Sequence, residues 1–511
     1  MLSLHGSDSL LLGYAIVLAT ALATLAIRRS GPRAWFVAPV LALVCLLASA
    51  LAGGLLLAVL EHVLGGAPPK PLAQLLMAAS LVGSGIAAGR WLTAVPRRER
   101  HKRGTEFAEV KAGVRGATDA PLRFAGAPLA LADETKHFKL IGTTGTGKST
   151  AIRALLRGAI KRGDRAVFSD PDGGYCAEFY DPARGDVILN PFDSRSFKWD
   201  LFGELRTSYD FDQLARSLVG EGSGAEQSWR SYAQTLLSAI LRRAETTGVR
   251  DVGELYRLLT AAPLEELRIL LDGSPAQPFL EPGNERMFGS VRAVATARTT
   301  ALDYVRAQTA PAFSIRDWVE KGSGLLFLTY RADQIAALHS IVSTWLRIAI
   351  FQTMSQGERD HRLWFVIDEL DAIGAIDGLK DALARLRKFG GRCLLGFQSI
   401  AQLSALYGGS DSQTIVENCG NTLILRCSAS EQGGTARFAS RLIGDREVVR
   451  DSVSRSHSGG AFGAARGSVG ISSQHVIEPA VLPSEIEQLP DLRGFLKLAS
   501  QPTWARVTLQ L

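Results

Sequence analysis

Cysteine is scarce in this sequence, and its cysteines follow no pattern that binds metal or crosslinks a fold. The five are Cys45, Cys176, Cys393, Cys419 and Cys427. They form no Cys-x-x-Cys pair and no paired spacing with histidine, which argues against a disulfide framework and against a zinc site. A reducing compartment fits this pattern.

The composition of a disordered or fibrous chain is absent too. Hydrophobic residues make up 46% of the 511 positions and charged residues 21%, which excludes a disordered chain. The 51 glycines and 20 prolines follow no triplet period, which excludes a collagen-like chain. At roughly 150 residues per domain, the length predicts about three folded units.

Most of the sequence lacks an excess of positive charge, although the formal net charge of the whole sequence is +7. Residues 1–103 contain ten of the 57 Lys and Arg residues and three of the 50 Asp and Glu residues, so residues 104–511 hold 47 of each sign. The positive balance therefore indicates membrane topology or lipid contact rather than nucleic acid. No stripe of aromatic and basic residues predicts a base-stacking surface.

Three stretches contain no Asp, Glu, Lys or Arg: 9–27, 34–60 and 71–89. Each can cross a bilayer as a helix, since about 20 apolar residues span the hydrocarbon core. Basic residues follow the first stretch at 28–33 and the third at 90–103, and both segments are expected on the cytoplasmic side. Three spans with the N-terminus outside satisfy this rule; two spans are the alternative. The first stretch lacks the basic leading region and clear cleavage site of a signal peptide.

From about residue 105 onward, short apolar runs alternate with amphipathic stretches, a pattern typical of α/β domains. The strands are predicted at 138–141, 165–169, 187–189, 324–329, 363–367, 393–397 and 422–425. From about 199 to 308 apolar residues recur at helical spacing, which predicts an all-α insertion.

Two shorter segments near the end of the chain carry weaker signals. Residues 452–473 are rich in Gly and Ser with scattered Arg, which predicts a mobile loop; DNA contact through Arg455 and Arg466 is the less favoured alternative. Ser484 followed by Glu487 is a capping-box pattern and predicts a short helix.

The segment 142–149 matches the phosphate-binding loop pattern of Gly, four residues, Gly, Lys and Ser or Thr. Its glycines allow backbone N–H groups to turn toward phosphate, Lys148 would reach the β and γ phosphates, and Ser149 would ligate Mg²⁺. An apolar strand precedes the loop and a helix-compatible run follows it, as the motif requires. We expect ATP and Mg²⁺ as cofactors, bound through Gly142, Thr143, Thr144, Gly145, Thr146, Gly147, Lys148, Ser149 and Thr150.

Two acidic residues, Asp368 and Glu369, follow the predicted strand 363–367. Asp368 would hold the water shell of Mg²⁺ opposite Ser149, and Glu369 would orient and deprotonate an attacking water. Gln398 ends the next predicted strand, where its amide would sense the γ-phosphate. A glutamine whose hydrogen bonds are satisfied at the edge of the core is the alternative.

Basic residues cluster between these two strands, at Arg385, Arg387, Lys388 and Arg392. Most such runs form an exposed helix face. An arginine at a subunit boundary can also stabilise the charge of phosphoryl transfer in a neighbour's site. The pattern alone leaves both interpretations open.

Several blocks resemble, in the same order, those of the type IV coupling proteins of conjugation and type IV secretion, of the TrwB and TraD kind. Besides the phosphate loop, the blocks are Ser-Asp-Pro-Asp-Gly at 169–173, Leu-Asn-Pro-Phe-Asp at 189–193, Trp-Phe-Val-Ile-Asp-Glu-Leu at 364–370 and Gly-Phe-Gln-Ser-Ile-Ala-Gln-Leu at 396–403. The helical stretch falls where these proteins have their all-α domain. The resemblance covers roughly residues 129–498.

The resemblance implies an α/β fold with a RecA-like P-loop NTPase core, an all-α insertion domain and an N-terminal transmembrane segment. The implied divisions are 1–103 for the membrane region, 104–198 and 311–511 for the two parts of the nucleotide-binding domain, and 199–310 for the insertion. It further implies a bacterial inner-membrane protein with a cytoplasmic ATPase domain, assembled as a hexamer.

The implied activity is DNA-stimulated ATP hydrolysis. The implied partners are single-stranded DNA, the relaxase bound to it and the inner-membrane part of a secretion channel. By position, Lys148, Ser149, Asp368, Glu369 and Gln398 carry over from the family. Arg387 matches the family arginine proposed to act across the subunit interface, and Arg392 is a second candidate.

Two alternatives to a DNA translocase are a docking receptor and a chromosome-segregation motor. A docking receptor would use nucleotide only for assembly, and Glu369 argues against it because a site that only binds nucleotide does not need that residue. A chromosome-segregation motor of the FtsK type is expected to carry a long linker and a C-terminal winged helix, for which the tail after Leu498 is short.

Overall fold

A computed structural model describes residues 6–27, 32–92, 99–109, 122–222, 224, 226–358, 361–430, 434–458 and 466–510. The chain divides into two units. One comprises Met1–Lys102 and Glu447–Ile477, and the other comprises Arg103–Arg446 and Glu478–Leu511. The grouping of 447–477 with the N-terminal region was not indicated by the sequence.

Strands and helices are numbered in chain order. The strands are β1 (Glu99–Gly104), β2 (Phe107–Glu109), β3 (Arg123–Phe124), β4 (Ala127–Pro128), β5 (Phe138–Ile141), β6 (Arg165–Pro171), β7 (Val187–Leu189), β8 (Lys198–Trp199), β9 (Ala312–Phe313), β10 (Leu325–Tyr330), β11 (Leu363–Ile367), β12 (Gly391–Phe397), β13 (Asn421–Ile424), β14 (Asp445–Ser458), β15 (Arg466–Pro479), β16 (Arg493–Lys497) and β17 (Trp504–Thr508). The helices are α1 (Gly6–Ile27), α2 (Pro32–Leu64), α3 (Lys70–Leu92), α4 (Leu131–Glu134), α5 (Lys148–Lys161), α6 (Gly174–Phe179), α7 (Asp210–Val219), α8 (Glu226–Thr246), α9 (Val252–Thr260), α10 (Leu264–Leu270), α11 (Glu285–Thr299), α12 (Ala301–Arg306), α13 (Ile315–Lys321), α14 (Ile335–Ser355), α15 (Leu379–Leu386), α16 (Ile400–Tyr407), α17 (Gly409–Asn418), α18 (Gly434–Ile443) and α19 (Pro483–Glu487).

The three uncharged N-terminal stretches form the helices α1, α2 and α3. Within α2 and α3, Trp35–Val63 and Lys70–Leu92 are long and apolar enough to cross a membrane, and Leu10–Ala26 of α1 is a shorter apolar helix. The basic residues Arg28, Arg29, Arg97 and Arg98 lie outside the described residues. The number of membrane spans stays a prediction.

Small residues bring α1 and α3 into close contact. A Cβ placed on Gly85 would lie 1.8 Å from Oγ1 of Thr20, and one on Gly89 would lie 2.5 Å from Cβ of Thr24. Glycines four residues apart permit this approach in membrane helices. Residue numbers increase together along the two helices from the first contact to the second, so α1 and α3 run parallel. Their C-terminal ends therefore lie at the same end of the helix pair.

The second part of the N-terminal unit is a small sheet in the order β1, β14, β15. Contacts between Asp451 and Ser473 at 2.7 Å and between Glu447 and His475 at 2.9 Å show that β14 and β15 run antiparallel. The prediction of a mobile loop over 452–473 is therefore wrong for 452–458 and 466–473, and 459–465 lie outside the described residues. Strand pairing satisfies the backbone there, so glycine and serine content did not decide the structure.

The larger unit is built on a sheet in the order β2-β17-β16-β13-β5-β12-β11-β6-β10-β7. From β13 to β7 all neighbouring strands are parallel. The pairs β13 with β16 and β16 with β17 are antiparallel. The central strands are buried along their whole length and are continuous apolar runs. The predicted α/β core is confirmed, and each predicted strand overlaps an observed one.

A helical segment interrupts the order of the sheet. The helices α7 to α12 lie between β8 and β9, and these two short strands pair in parallel. Glu204 is buried beneath them, and its carboxylate accepts the N–H groups of Ile315 at 2.7 Å and Arg316 at 3.1 Å at the start of α13. The helix Ile335–Ser355 is as apolar as a membrane span but is largely buried, so it is a core helix.

The helix predicted from the capping pattern of Ser484 and Glu487 is present as α19 but begins two residues earlier than an N-cap at Ser484 implies. Pro483 occupies its first position, and the backbone N–H of Leu482 donates to Glu485 at 3.3 Å. The fixed φ of proline suits the first turn, which moves the cap from Ser484 to Leu482.

Candidate functional site

The carboxyl ends of three neighbouring parallel strands bring the predicted site residues together. The phosphate-loop segment follows β5, Asp368 and Glu369 follow β11, and Gln398 follows β12. Because β12 lies between β5 and β11, the loop, the amide and the two carboxylates meet at one edge of the sheet. Ligands bind at this edge in open α/β sheets.

The glycine positions of the loop have the backbone geometry that the motif requires. Gly145 and Gly147 have φ values of 77° and 115°, in the left-handed region that side chains rarely adopt. Their conformation leads directly into α5, which begins at Lys148. Thr143 is anchored from the backbone, since its N–H donates to the carbonyl of Arg426 at 2.9 Å.

Lys148 lies inside the loop. Its ammonium donates to the carbonyl of Gly142 at 2.7 Å and to that of Thr143 at 3.2 Å. Burial lowers the pKa of Lys148, and the nearby carboxylates of Asp368 and Glu369 act in the opposite direction.

Asp368 is the centre of a hydroxyl cluster. Its Oδ2 accepts hydrogen bonds from Ser149 at 2.5 Å and from the hydroxyl of Tyr175 at 2.7 Å. Its Oδ1 is buried and has no hydrogen-bond partner among the described residues. A Cβ on Gly396 of the neighbouring strand would lie 2.2 Å from the carbonyl oxygen of Asp368, so glycine is required there.

A second chain of hydrogen bonds holds Glu369. The amide nitrogen of Gln398 donates to Oε1 of Glu369 at 2.9 Å, and Thr144 donates to the amide oxygen of Gln398 at 2.9 Å. Burial, together with the charge of Asp368, raises the pKa of Glu369 above its ordinary value. Gln398 therefore links the phosphate loop to the second carboxylate.

The residues of this site fit a nucleotide with Mg²⁺. The buried Oδ1 of Asp368 is an acceptor without a donor among the described residues, which is costly unless a donor comes from outside the chain. Ser149 and Asp368 supply the hard oxygen ligands that Mg²⁺ prefers. The loop is open at Gly145, where an added Cβ would meet nothing within 4 Å. Thr150 follows in the first turn of α5.

The two arginines considered for an intersubunit role lie apart from this cluster and differ from each other. Arg387 is exposed in a turn of 3₁₀ helix that precedes β12, at the opposite edge of the sheet. Arg392 is only 1% exposed and donates to Glu134 at 2.9 Å. Of these two arginines, Arg387 is exposed to solvent and Arg392 is buried.

Sequence reasoning missed two residues of the site, Asp170 and Tyr175. Asp170 accepts the backbone N–H of Tyr175 at 2.9 Å and of Cys176 at 2.7 Å, and thereby fixes the start of α6. Burial raises the pKa of Asp170 to about 6. The block at 169–173 could have indicated Asp170, because it places two acidic residues at the end of a strand, as at 368–369. Nothing in the sequence indicated that Tyr175 contacts Asp368.

Comparisons with known proteins agree on one family. A family model described as the type IV secretion-system coupling protein DNA-binding domain matches residues 121–510. The chain is similar to the coupling protein TraD of Escherichia coli (strain K12), with 33% identity over 390 residues that cover 74% of this chain and 53% of TraD. It is also similar to a conjugal transfer protein TraG of Escherichia coli, with 24% identity over 348 residues that cover 60% of this chain and 52% of TraG. The chain thus spans about half the length of these curated relatives.

Solved structures show the same likeness. The plasmid coupling protein TrwB in complex with ADP and Mg²⁺ superposes with a TM-score of 0.71 and 31% identity, covering 82% of this chain and 96% of that one. TrwBΔN70, in an unbound crystal form, gives a TM-score of 0.71 and covers 95% of that chain. The mixed α/β fold predicted from the sequence, with apolar helices at the N-terminus, is confirmed.

Proposed function

The chain belongs to the type IV secretion-system coupling proteins, and from this we propose that it is a membrane-anchored, ATP-driven translocase of DNA. In this proposal it transfers a single strand bound by a relaxase to the inner-membrane part of a type IV secretion channel. The domain division proposed from the sequence and assembly as a homohexamer in the bacterial inner membrane belong to the same proposal.

The observation that carries the enzymatic part is the placement of Glu369. A nucleotide site needs the loop, Lys148 and a Mg²⁺ ligand for binding alone. Glu369 adds a carboxylate of raised pKa, held by Gln398 at 2.9 Å beside Asp368. A general base works best when its pKa approaches the operating pH, so this carboxylate suits proton abstraction from water.

Each residue of the cluster then has a task in hydrolysis. The loop and Lys148 hold the β and γ phosphates, and Ser149 with Asp368 holds Mg²⁺. Bound Mg²⁺ neutralises charge that develops on the phosphate oxygens. Glu369 orients a water and accepts its proton, and Gln398 keeps Glu369 facing the phosphate loop through Thr144. Arg387 of a neighbouring subunit supplies positive charge across the boundary.

Motion of DNA requires that the site be coupled to other parts of the core. Gln398 leads directly into α16, whose first residues are capped by Ser399. Asp172 lies two residues beyond Asp170, and its carboxylate accepts the N–H of Ala332 after β10 at 3.3 Å. In the proposed ring, nucleotide turnover would shift these loops, which lie at the same edge of the sheet as the phosphate loop, and the shift would move DNA.

The experiment is hydrolysis by the full-length protein in detergent micelles or nanodiscs, with and without single-stranded DNA. We expect the wild type to hydrolyse ATP and DNA to stimulate it. Glu369→Gln should bind nucleotide normally and lose hydrolysis by about 10²-fold or more. A wild type that DNA does not stimulate and that is indistinguishable from Glu369→Gln would refute the translocase and favour a docking receptor.

A further inference from the structure

Tyr175 lies beside the nucleotide site without belonging to any of its motifs. It is the second residue of α6, its ring is 2% exposed, and its hydroxyl donates to Oδ2 of Asp368 at 2.7 Å. An ionised carboxylate only accepts hydrogen bonds, so the hydroxyl of Tyr175 is the donor in this contact. The function proposed above assigns it no task.

Three groups hold the tyrosine in place. Asp170 accepts its backbone N–H at 2.9 Å, and the ring of Phe168 stacks on it at 5.4 Å between centroids. Arg153, which projects from the helix that follows the phosphate loop, lies over the ring at 5.0 Å. Arg153 also pairs with Glu178 of α6 at 3.2 Å. The position of the hydroxyl is thus set by the strand β6 and by α5 together.

The contact determines how the carboxylate of Asp368 is turned. Rotation about the last torsion of an aspartate is broad and weakly restrained on its own. Two hydroxyl donors, Ser149 at 2.5 Å and Tyr175 at 2.7 Å, converge on Oδ2. With Oδ2 engaged, Oδ1 is the oxygen left to accept a donor from outside the chain. Since Ser149 is itself a predicted Mg²⁺ ligand, Tyr175 is the donor that does not also have to serve the metal.

We propose that Tyr175 is a positioning residue for Mg²⁺, which holds Asp368 in the orientation that the metal and its water shell require. The inference rests on the proposed nucleotide site but not on DNA translocation. Residues that hydrogen-bond to metal ligands commonly change metal affinity by about 10–100-fold when they are removed. Tyr175→Phe deletes only the hydroxyl, and the ring keeps its place between Phe168 and Arg153.

The test measures Mg²⁺ dependence of binding rather than turnover. A fluorescent ADP analogue is bound to the full-length protein in detergent, first in EDTA and then with increasing MgCl₂. For Tyr175→Phe we expect the Mg²⁺ concentration at half-saturation to rise about tenfold, while affinity in EDTA stays within about twofold of wild type. Asp368→Asn is the positive control and should lose most of the Mg²⁺ response.

Tyr330→Phe is the matched control. Tyr330 is a buried tyrosine at the same edge of the sheet, and its hydroxyl pairs with Ser169 at 3.3 Å instead of with Asp368. Three results would each overturn the inference. The Mg²⁺ midpoint of Tyr175→Phe could equal that of wild type, or Tyr175→Phe could lose as much nucleotide affinity in EDTA as it loses in Mg²⁺. Tyr330→Phe could also shift the Mg²⁺ midpoint as far as Tyr175→Phe does. A wild type that binds nucleotide with Mg²⁺ yet does not hydrolyse it would contradict the translocase alone.

Discussion

The amide nitrogen of Gln398 lies 2.9 Å from Oε1 of Glu369, and the amide oxygen of the same side chain accepts from Thr144. One side chain therefore connects the phosphate loop to the proposed general base. Either hydrogen bond alone would leave the amide nitrogen or the amide oxygen of Gln398 without this partner. With both formed, the orientation of the amide is determined, and Glu369 cannot turn away without breaking a charge-assisted hydrogen bond.

Gln398→Ala should lower kcat for ATP hydrolysis by about ten- to a hundredfold while leaving nucleotide affinity near that of wild type. The carboxylate of Glu369 stays in place but loses the donor that orients it. Steady-state hydrolysis and equilibrium binding separate the two effects. Gln413→Ala, at an exposed glutamine of α17, should change neither. Equal loss of binding and turnover in Gln398→Ala would show that the amide serves the loop rather than the base.

The dependence of kcat/KM on pH should report the raised pKa of Glu369, because this parameter reflects groups of the free enzyme. Glu369 must be ionised to accept a proton, so activity should rise with pH through its pKa. Burial and Asp368 place that pKa above the ordinary value of 4.5, and the acid limb should lie correspondingly higher. An acid limb at or below 4.5 would contradict the proposed environment of the carboxylate. Parallel binding measurements across the same pH range serve as the control.

Arg387→Ala should abolish most hydrolysis, by about 10³-fold, and leave the free energy of unfolding within about 0.5 kcal/mol of wild type. Its side chain is exposed and lies away from its own site. Mixing this variant with Lys148→Ala should restore part of the activity, because mixed rings would contain boundaries with one intact loop and one intact arginine. Lys388→Ala, next to it in the same turn, is the control and should retain activity. No recovery on mixing would exclude action across the boundary.

Arg392→Ala should instead destabilise the fold by about 1–3 kcal/mol. It leaves Glu134 buried with one fewer partner, although Arg162 still pairs with that carboxylate at 2.8 Å. Denaturant unfolding of the full-length protein, followed by the combined fluorescence of its eight tryptophans, measures the loss. A fully stable Arg392→Ala with reduced hydrolysis would return this arginine to consideration for the site.

Gly85→Ala should weaken the packing of α1 on α3. The added methyl would lie 1.8 Å from Thr20 Oγ1 and 2.6 Å from the carbonyl of Val17, which is too close for either atom. Gly83→Ala is the matched control, because a Cβ there meets nothing within 4 Å. The thermal midpoint in detergent should fall for the first variant and stay the same for the second. Equal midpoints would show that the contact at Gly85 is not required.

The strands and the chemistry at their ends were predictable because both are local in sequence. The apolar run 363–367 and the two acids after it are contiguous, and so are the loop glycines and Lys148. Contacts between distant positions were not predictable. Tyr175 meets Asp368 across 193 residues, and Arg392 meets Glu134 across 258.

Some elements were missed for a related reason. The strands β16 and β17 extend the sheet on the side away from the insertion, and their sequences carry no site residue or clear alternation. Arg392 looked like one more member of an exposed basic run, because a run of charges does not reveal which side chain faces the interior.

The contacts of Gly85 with Thr20 and of Gly89 with Thr24 also set the axial register of α1 relative to α3. Both pairs are spaced by four residues, so a slide that restores a glycine opposite a threonine must move one helix by about 6 Å, which is four residues at about 1.5 Å each. Smaller slides bring larger side chains into the narrow seam. The two helices therefore keep a fixed axial register, and α1 cannot shift along its axis without breaking its contacts with α3.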